Sequence, residues 1–406
     1  MKVLLATFLY EKDLGGGVVA AVRDLAQSLL RRGIEVIIVA TSLVENVQLS
    51  YEEGVKIYRL PPYNLYWIGQ KHRQPAWKKA LWHGMDLWNP RIYAAARAVI
   101  AQEKPDIVHV HKLRGLSPAI WTAARRAGVK RVVHTCHDYE LLSPEGTFSG
   151  RIGRLAYASE KAIWPYTLPR AWLSRQVHVV TAPSQFALDI HVKRGFFSQA
   201  SRRVVPNSHG LTRQQLLSRQ NAGQASSKTV NLLYIGRLEK VKGLETLCKS
   251  VEKASIRQAN LHLRIAGYGS LAEMMQKRYK DSAHIELCGP AFGEAKERLF
   301  KDSHLIVLPS EWPENLPVTI LEAYAHGKPV LASRMGGMPE IITEGETGFL
   351  LPPGEVDIWA EKLVEISRNP LQLQNMRPKC LAAAQKFALE EMLENYLAIY
   401  TETSTA

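Results

Sequence analysis

Glu314 and Glu322 stand eight positions apart in residues 304–354, HLIVLPSEWPENLPVTILEAYAHGKPVLASRMGGMPEIITEGETGFLLPPG. An apolar run, 304–308, leads into the first, and a helical pattern over 317–326 carries the second. Ionised carboxylates bind sugar and ribose hydroxyls well, because each oxygen accepts two O–H bonds. A polar loop between a strand and a helix adds free backbone amides and the positive end of the helix dipole, the arrangement that holds phosphate. Asn315, Leu316 and Val318 surround Pro317 in that loop, and proline suits the first turn of a helix. The pattern points to a nucleotide-linked substrate. Taken alone, the segment also fits a surface helix with ordinary glutamates.

Two further loops could carry the matching positive charge or close backbone. In Gly236-Arg237-Leu238-Glu239-Lys240-Val241-Lys242-Gly243, Arg237 and Lys242 bracket a strand-to-helix turn. Two cations can converge there on one diphosphate, arginine as a planar fork and lysine as a point charge. Gly15, Gly16 and Gly17 follow the first apolar run. Consecutive glycines permit φ > 0 and let a ligand approach the backbone at a helix N-terminus. The spacing is not G-x-G-x-x-G and no acidic residue ends the second strand, which disfavours a nicotinamide site. A solvated charged turn and a ligand-free glycine turn remain open for these two segments individually.

The elements that must position these groups alternate in type. Short apolar runs at 2–7, 35–40, 55–60, 106–110, 131–136 and 178–182 are separated in several places by helical patterns, at 18–31, 91–102, 117–127 and 184–193. A polar Gln/Ser/Asn stretch, 211–228, reads as an interdomain connection, after which the alternation restarts at 230–235. At 406 residues the chain exceeds a single core. The expected architecture is α/β, with two open, doubly wound sheets in series, residues 1–210 and 211–387, whose ligand crevices lie at the carboxyl ends of the strands.

The net charge is +14, and residues 1–210 hold all of the excess, 29 Lys/Arg against 15 Asp/Glu. Such asymmetry suits an anionic partner, a membrane surface among them. Residues 62–91 place Trp67, Trp77, Trp82 and Trp88 beside Lys71, Arg73, Lys78 and Lys79. Either they sit on anionic lipid or the tryptophans pack inward. No nucleic-acid motif accompanies them. Four scattered cysteines with no C-x-x-C pair argue against a disulfide framework or zinc knuckle and fit a reducing compartment. The first residues, MKVLLATFLY, run straight into Glu11-Lys12-Asp13 and read as a buried strand rather than a signal peptide. No apolar run approaches membrane-spanning length. His109, His111, His134 and His137 gather near two strand ends, but their spacing matches no zinc signature, and a metal is not expected.

The combination of G-R-L-x-x-x-K-G, W-P-E-N-L-P-V-T-I-L-E-A, G-K-P-V-L-A-S and G-G-M-P-E-I-I-x-E-G-x-T-G-F-L resembles family 4 of the retaining glycosyltransferases. T-C-H-D-Y at 135–139, P-S-x-F at 183–186 and P-N at 206–207 extend the resemblance over nearly the whole chain. It implies the GT-B fold, two facing Rossmann-like domains with a cleft between them and a last helix, 388–406, returning to the first domain. The donor implied is a nucleotide-diphosphate sugar, UDP-, GDP- or ADP-linked, with no other cofactor. The acceptor would be a glycan or lipid-linked glycan of surface polysaccharide or lipopolysaccharide assembly, in the cytoplasm or peripherally at the inner face of the membrane. By the same resemblance Glu314 holds the donor sugar and Glu322 the ribose. Arg237 and Lys242 neutralise the diphosphate, helped by the amides of Leu316 and Val318 in the Asn315 loop and by the close backbone of Gly16 and Gly17. Gly289 lies by the base, and His137 matches the active-site histidine. The family's usual Gly-Val-Asp after P-N is replaced by Ser208-His209-Gly210, a departure near the hinge. Alternatives are a nucleotide-sugar epimerase or hydrolase of similar fold, and a non-catalytic basic membrane-surface binding protein.

Overall fold

The computed structural model describes residues 1–11, 16–220 and 229–402. The chain divides into two compact units, Met1–Gly210 with Leu389–Ala406, and Leu211–Ala388.

In the first unit β1 (Lys2–Thr7), β2 (Glu35–Thr41), β3 (Gln48–Glu52), β4 (Val55–Leu60), β5 (Ile107–Val110), β6 (Arg131–Thr135), β7 (Val179–Ala182) and β8 (Ser201–Val204) form one sheet, in the order β3-β4-β2-β1-β5-β6-β7-β8. Only β3 is antiparallel to its neighbour. The central strands are continuously apolar because both faces are covered. One face takes Val22, Leu25, Ala26 and Leu29 of the Gly17–Arg31 helix, and Met392, Leu393 and Tyr396 of the closing Leu389–Thr401 helix. Arg131 fastens that last helix by donating to the carbonyls of Ile399 and Glu402. Edge strands β3 and β8 have no apolar run to reveal them. They are largely exposed and polar or charged, which discourages edge-to-edge pairing. Two stretches between strands, 61–90 and 146–176, carry extra helices, with α-helices at Ala76–Met85, Arg151–Ala158 and Trp164–Leu173.

The second unit is a six-stranded parallel sheet: β9 (Val230–Ile235), β10 (Leu261–Ala266), β11 (Ile285–Gly289), β12 (Leu305–Leu308), β13 (Val330–Ser333) and β14 (Gly348–Leu351), ordered β11-β10-β9-β12-β13-β14. Each unit is thus a Rossmann-like α/β domain. Strand order reverses beside β1 in the first unit and beside β9 in the second, and the carboxyl ends of β1/β5 and β9/β12 are the expected crevices.

Part of the expected connection is structured instead. Residues Arg213–Gln220 form a helix whose Leu216 is buried in the second core. Thr212 and Gln215 cap it reciprocally, Thr212 Oγ1 accepting from the Gln215 amide at 3.2 Å and Gln215 Oε1 from the Thr212 amide at 2.9 Å. The polar composition concealed that capping box. The remainder of the connection, 221–228, lies outside the described residues.

The first unit buries histidines that the unfolded chain would protonate. Burial drives His109, His111 and His134 well below their ordinary range, and lowers His191 to about 4. Below about pH 6.5 the unfolded state therefore binds more protons than the folded one, and stability falls as pH falls toward about 4. His191 alone should cost about 2 kcal/mol at about pH 5. Thermal unfolding followed from about pH 7.5 to about pH 5 should show a steadily falling midpoint; a flat profile would mean these rings are protonated in the folded state too.

Candidate functional site

The loops that follow β9 and β12 are pressed together. Gly243 has φ +69°, and a Cβ there would lie 1.9 Å from the Pro309 carbonyl oxygen, so only glycine fits. The Glu311 amide donates to the Val241 carbonyl at 2.8 Å, and Thr246 Oγ1 to Glu311 Oε1 at 2.6 Å. These contacts carry Lys242 to Glu314, with Nζ 2.5 Å from Oε1. Ser310 Oγ and Trp312 Nε1 donate to the same oxygen at 2.7 and 2.9 Å. Three donors converge on Oε1, and none of these bonds occupies Oε2. Lys242 Nζ also lies 5.2 Å from the Trp312 ring centroid.

Glu314 is held from behind as well. Gly336, at φ +62°, comes so close that a Cβ would meet the Glu314 carbonyl oxygen at 2.1 Å, and the Gly337 amide donates to that oxygen at 2.8 Å. Arg237 stands two positions beyond the end of β9 and is exposed, with its carbonyl fixed by Tyr234 Oη at 2.7 Å. Asn315 and Leu316 are buried, and Leu316 joins the hydrophobic core. Pro317 is one position earlier than expected, at the N-cap, and the helix runs Val318–Ala325. Within its first turn the Ile320 amide donates to the Pro317 carbonyl at 3.0 Å, while the amides of the first two positions, as at any helix start, have no acceptor within the helix. Glu322 pairs with Lys296 at 2.6 Å, and burial raises its carboxyl above the usual range against the pull of that lysine. Gly289 closes β11 at φ +69° with open space where a side chain would be, and its carbonyl accepts from the Gly267 amide at 2.8 Å.

The structure therefore gathers Lys242 and Glu314 at the β9/β12 crevice, with Arg237, Asn315, Leu316, Val318 and Glu322 on the same loops and helix. Gly16, Gly17 and His137 belong to the first unit. Gly16 is the N-cap of its helix in an extended conformation, φ −84°, and Gly17 opens that helix, so neither uses the left-handed backbone that glycine permits. What Gly16 offers is open space, with nothing within 4 Å of its Cβ position. Gly15 lies outside the described residues. His137 follows β6; its Nε2 lies 3.0 Å from His111 Nδ1, with the two rings stacked at 5.3 Å. The His111 ring lies 3.9 Å from that of His109, whose Nδ1 meets Tyr400 Oη of the last helix at 2.7 Å. Burial lowers His137 to about 4, so it is neutral at ordinary pH. Lys112 pairs with neighbouring Asp138.

Sequence reasoning missed Lys296, Ser310, Trp312, His111 and Tyr400 as supports. Ser310, Trp312 and Glu314 alternate along one loop, a signal that was available. Lys296 and Tyr400 carry none, since they arrive from distant elements. Among the described residues, no three His, Cys, Asp or Glu side chains are grouped to hold a metal ion, and no helix is long and apolar enough to cross a membrane. The tryptophans of 62–91 divide: Trp82 is buried, its Nε1 donating to the Tyr66 carbonyl at 2.9 Å, whereas Trp77 is exposed.

Residues 15–209 match the family model described as Glycosyltransferase Family 4, and residues 219–387 that described as Glycosyl transferases group 1. The chain is 29% identical over 342 residues to a 42.6 kDa protein in the cps region of Klebsiella pneumoniae, spanning 84% of this chain and 87% of that one. Its fold is similar to that of sucrose-phosphate synthase from Thermosynechococcus elongatus, with a TM-score of 0.74 at 19% identity over 98% of both chains. It is also similar to Anabaena HepE solved in complex with UDP, with a TM-score of 0.65 at 17% identity over 98% and 99% of the two chains. Fold and family matches together define the class, a glycosyltransferase enzyme with the GT-B fold. Within that class the chain belongs to glycosyltransferase family 4.

The tight backbone at Gly336 can be tested without any substrate. Gly336→Ala should lower stability by about 1–3 kcal/mol through left-handed strain plus displacement of Glu314. Gly345→Ala, at φ +72° in open space, bears the strain alone. Urea midpoints should rank Gly336→Ala below Gly345→Ala, and equal midpoints would mean that the Glu314 loop moves aside freely.

Proposed function

We propose that this enzyme moves a hexosyl group from a nucleotide-diphosphate sugar to a glycan or lipid-linked acceptor, with retention of configuration and without a metal, in surface polysaccharide assembly. The observation that carries the reading is the Lys242–Glu314 contact at the β9/β12 crevice, where Lys242, Ser310 and Trp312 all donate to Oε1 and, among the described residues, no bond reaches Oε2. Residues 211–387 are then the donor domain, and residues 1–210 with 388–406 the acceptor side.

Glu314 Oε2 would accept from the donor sugar's hydroxyls, and Glu322 from the ribose. An ammonium has three donors, so Lys242 can keep Glu314 and still reach a phosphate oxygen. Arg237 adds a second cation, and the amides at Leu316 and Val318 add dipoles aimed at the same anion. Charge developing on the departing diphosphate is stabilised by groups already in place, which is why no metal is needed in this scheme. In the first unit the family resemblance assigns Gly16 and Gly17 to the diphosphate and His137 to the neighbourhood of the transferred sugar. A neutral imidazole there can hydrogen-bond without opposing the positive charge that grows on the sugar. Gly289 is assigned to the base. Support for a nucleotide donor comes from the HepE complex with UDP, and support for polysaccharide assembly from the relative in the cps region. A cytoplasmic setting, peripheral at the inner face of the membrane, is part of the same reading.

A panel of UDP-, GDP- and ADP-sugars, screened for thermal stabilisation and slow hydrolysis, should yield one donor class. With that donor, Glu314→Ala or Lys242→Ala should cut turnover by about 10²–10³; turnover equal to the parent would remove both assignments. Chelator should leave the rate unchanged, and loss of activity restored by a divalent ion would overturn metal independence.

A further inference from the structure

The Ala76–Met85 and Trp164–Leu173 helices of the first unit pack on each other through His83. Its ring lies 5.8 Å from that of Tyr166, and Arg170 donates to its carbonyl at 3.2 Å. Each helix still leaves a row of large apolar side chains in water. Trp77, Leu81 and Met85 are 66%, 56% and 42% exposed, and Trp164, Leu168 and Trp172 are 60%, 61% and 64% exposed. Both rows have the spacing i, i+4, i+8, which is one face of a helix. Exposed apolar surface on this scale marks an interaction site.

Two grooves flank the second helix. One, of about 860 Å³, runs beside Ile163, Leu168 and Trp172 and is edged by Lys161, Arg175 and Arg194. The other, of about 740 Å³, joins Leu87 and Trp88 to Trp172 and is edged by Arg125, Arg126 and Arg175. Among the described residues, no carboxylate lines either groove. Residues 61–90 and 146–176 together contain nine Lys/Arg and only two Asp/Glu, of which Asp86 is buried.

We propose that this helix pair seats the enzyme on an anionic phospholipid leaflet, the six apolar side chains entering the acyl boundary and Lys161 and Arg175 meeting lipid phosphates. Tryptophan flanked by Lys and Arg suits the water–hydrocarbon boundary, where an apolar body and a polar tip are both accommodated. Helices of ten residues are too short to span and must lie in the plane. A protein partner would call for cations and acids interspersed, and a soluble acidic glycan would use the cations but not the apolar rows. The inference deepens the reading of a lipid-linked acceptor, which would be met at that surface, but the binding is measured without transfer.

The test is cosedimentation of the full chain with vesicles of phosphatidylcholine alone or with about one-third phosphatidylglycerol. The parent should bind the anionic vesicles only, and less as salt rises. Trp164→Ser with Trp172→Ser, and separately Arg175→Glu, should each weaken binding by about tenfold or more, with thermal midpoint and donor hydrolysis unchanged. Equal binding by parent and both variants, or no binding by the parent, would overturn the proposal. So would a dimer in sedimentation velocity that the tryptophan variant abolishes, since the face would then belong to a second copy. Vesicle binding by a protein that hydrolyses no sugar nucleotide would leave the lipid surface standing and remove the donor reading instead.

Discussion

Two backbone approaches too close for any side chain determine the β9/β12 crevice. Gly243 against the Pro309 carbonyl brings the loop after β9 onto the loop after β12, and Gly336 against Glu314 fixes the far side of that second loop. Neither approach is itself a binding interaction. Their effect is to bring a lysine and a glutamate from separate βα turns to hydrogen-bonding distance, and to let Ser310 and Trp312 complete the hold on one carboxylate oxygen. A carboxylate immobilised through one oxygen presents the other in a fixed direction, which is what selective recognition of hydroxyl groups requires.

The first unit handles charge differently. Around the ends of β5 and β6 the imidazoles of His109, His111 and His137 lie in a row, and burial keeps them uncharged. Tyr400 reaches the same row from the last helix at His109, so the return of the chain to the first unit supports His137 only through His109 and His111. The basic excess of this unit is largely elsewhere, on exposed helices between strands. Interior neutrality and surface charge are separated because an unpaired cation is costly inside and inexpensive in water.

Much of the architecture was legible in order along the chain. The buried parallel strands announced themselves as continuous apolar runs, and the helices between them by their periodicity. Strands β3 and β8 were missed because an edge strand covers little and is selected for polarity. The Arg213–Gln220 helix was missed because its capping box sat inside a composition typical of linkers. At Gly16 and Gly17 the sequence allowed a left-handed backbone that the helix start does not use.

What the sequence by itself determined is the inventory: which loops end which strands, that Glu314, Arg237 and Lys242 occupy strand-to-helix turns, and that Glu322 stands on the helix that follows. These are local properties, set by burial on both faces of a sheet and by the chemistry of helix ends. Only the tertiary structure decided the pairings. Lys242 with Glu314, Lys296 with Glu322 and His137 with His111 join residues 72, 26 and 26 positions apart. Such contacts depend on strand order and on which turns lie side by side. The same is true of the two exposed apolar rows, because a helical face is known to be free only once its packing partners are seen to lie elsewhere.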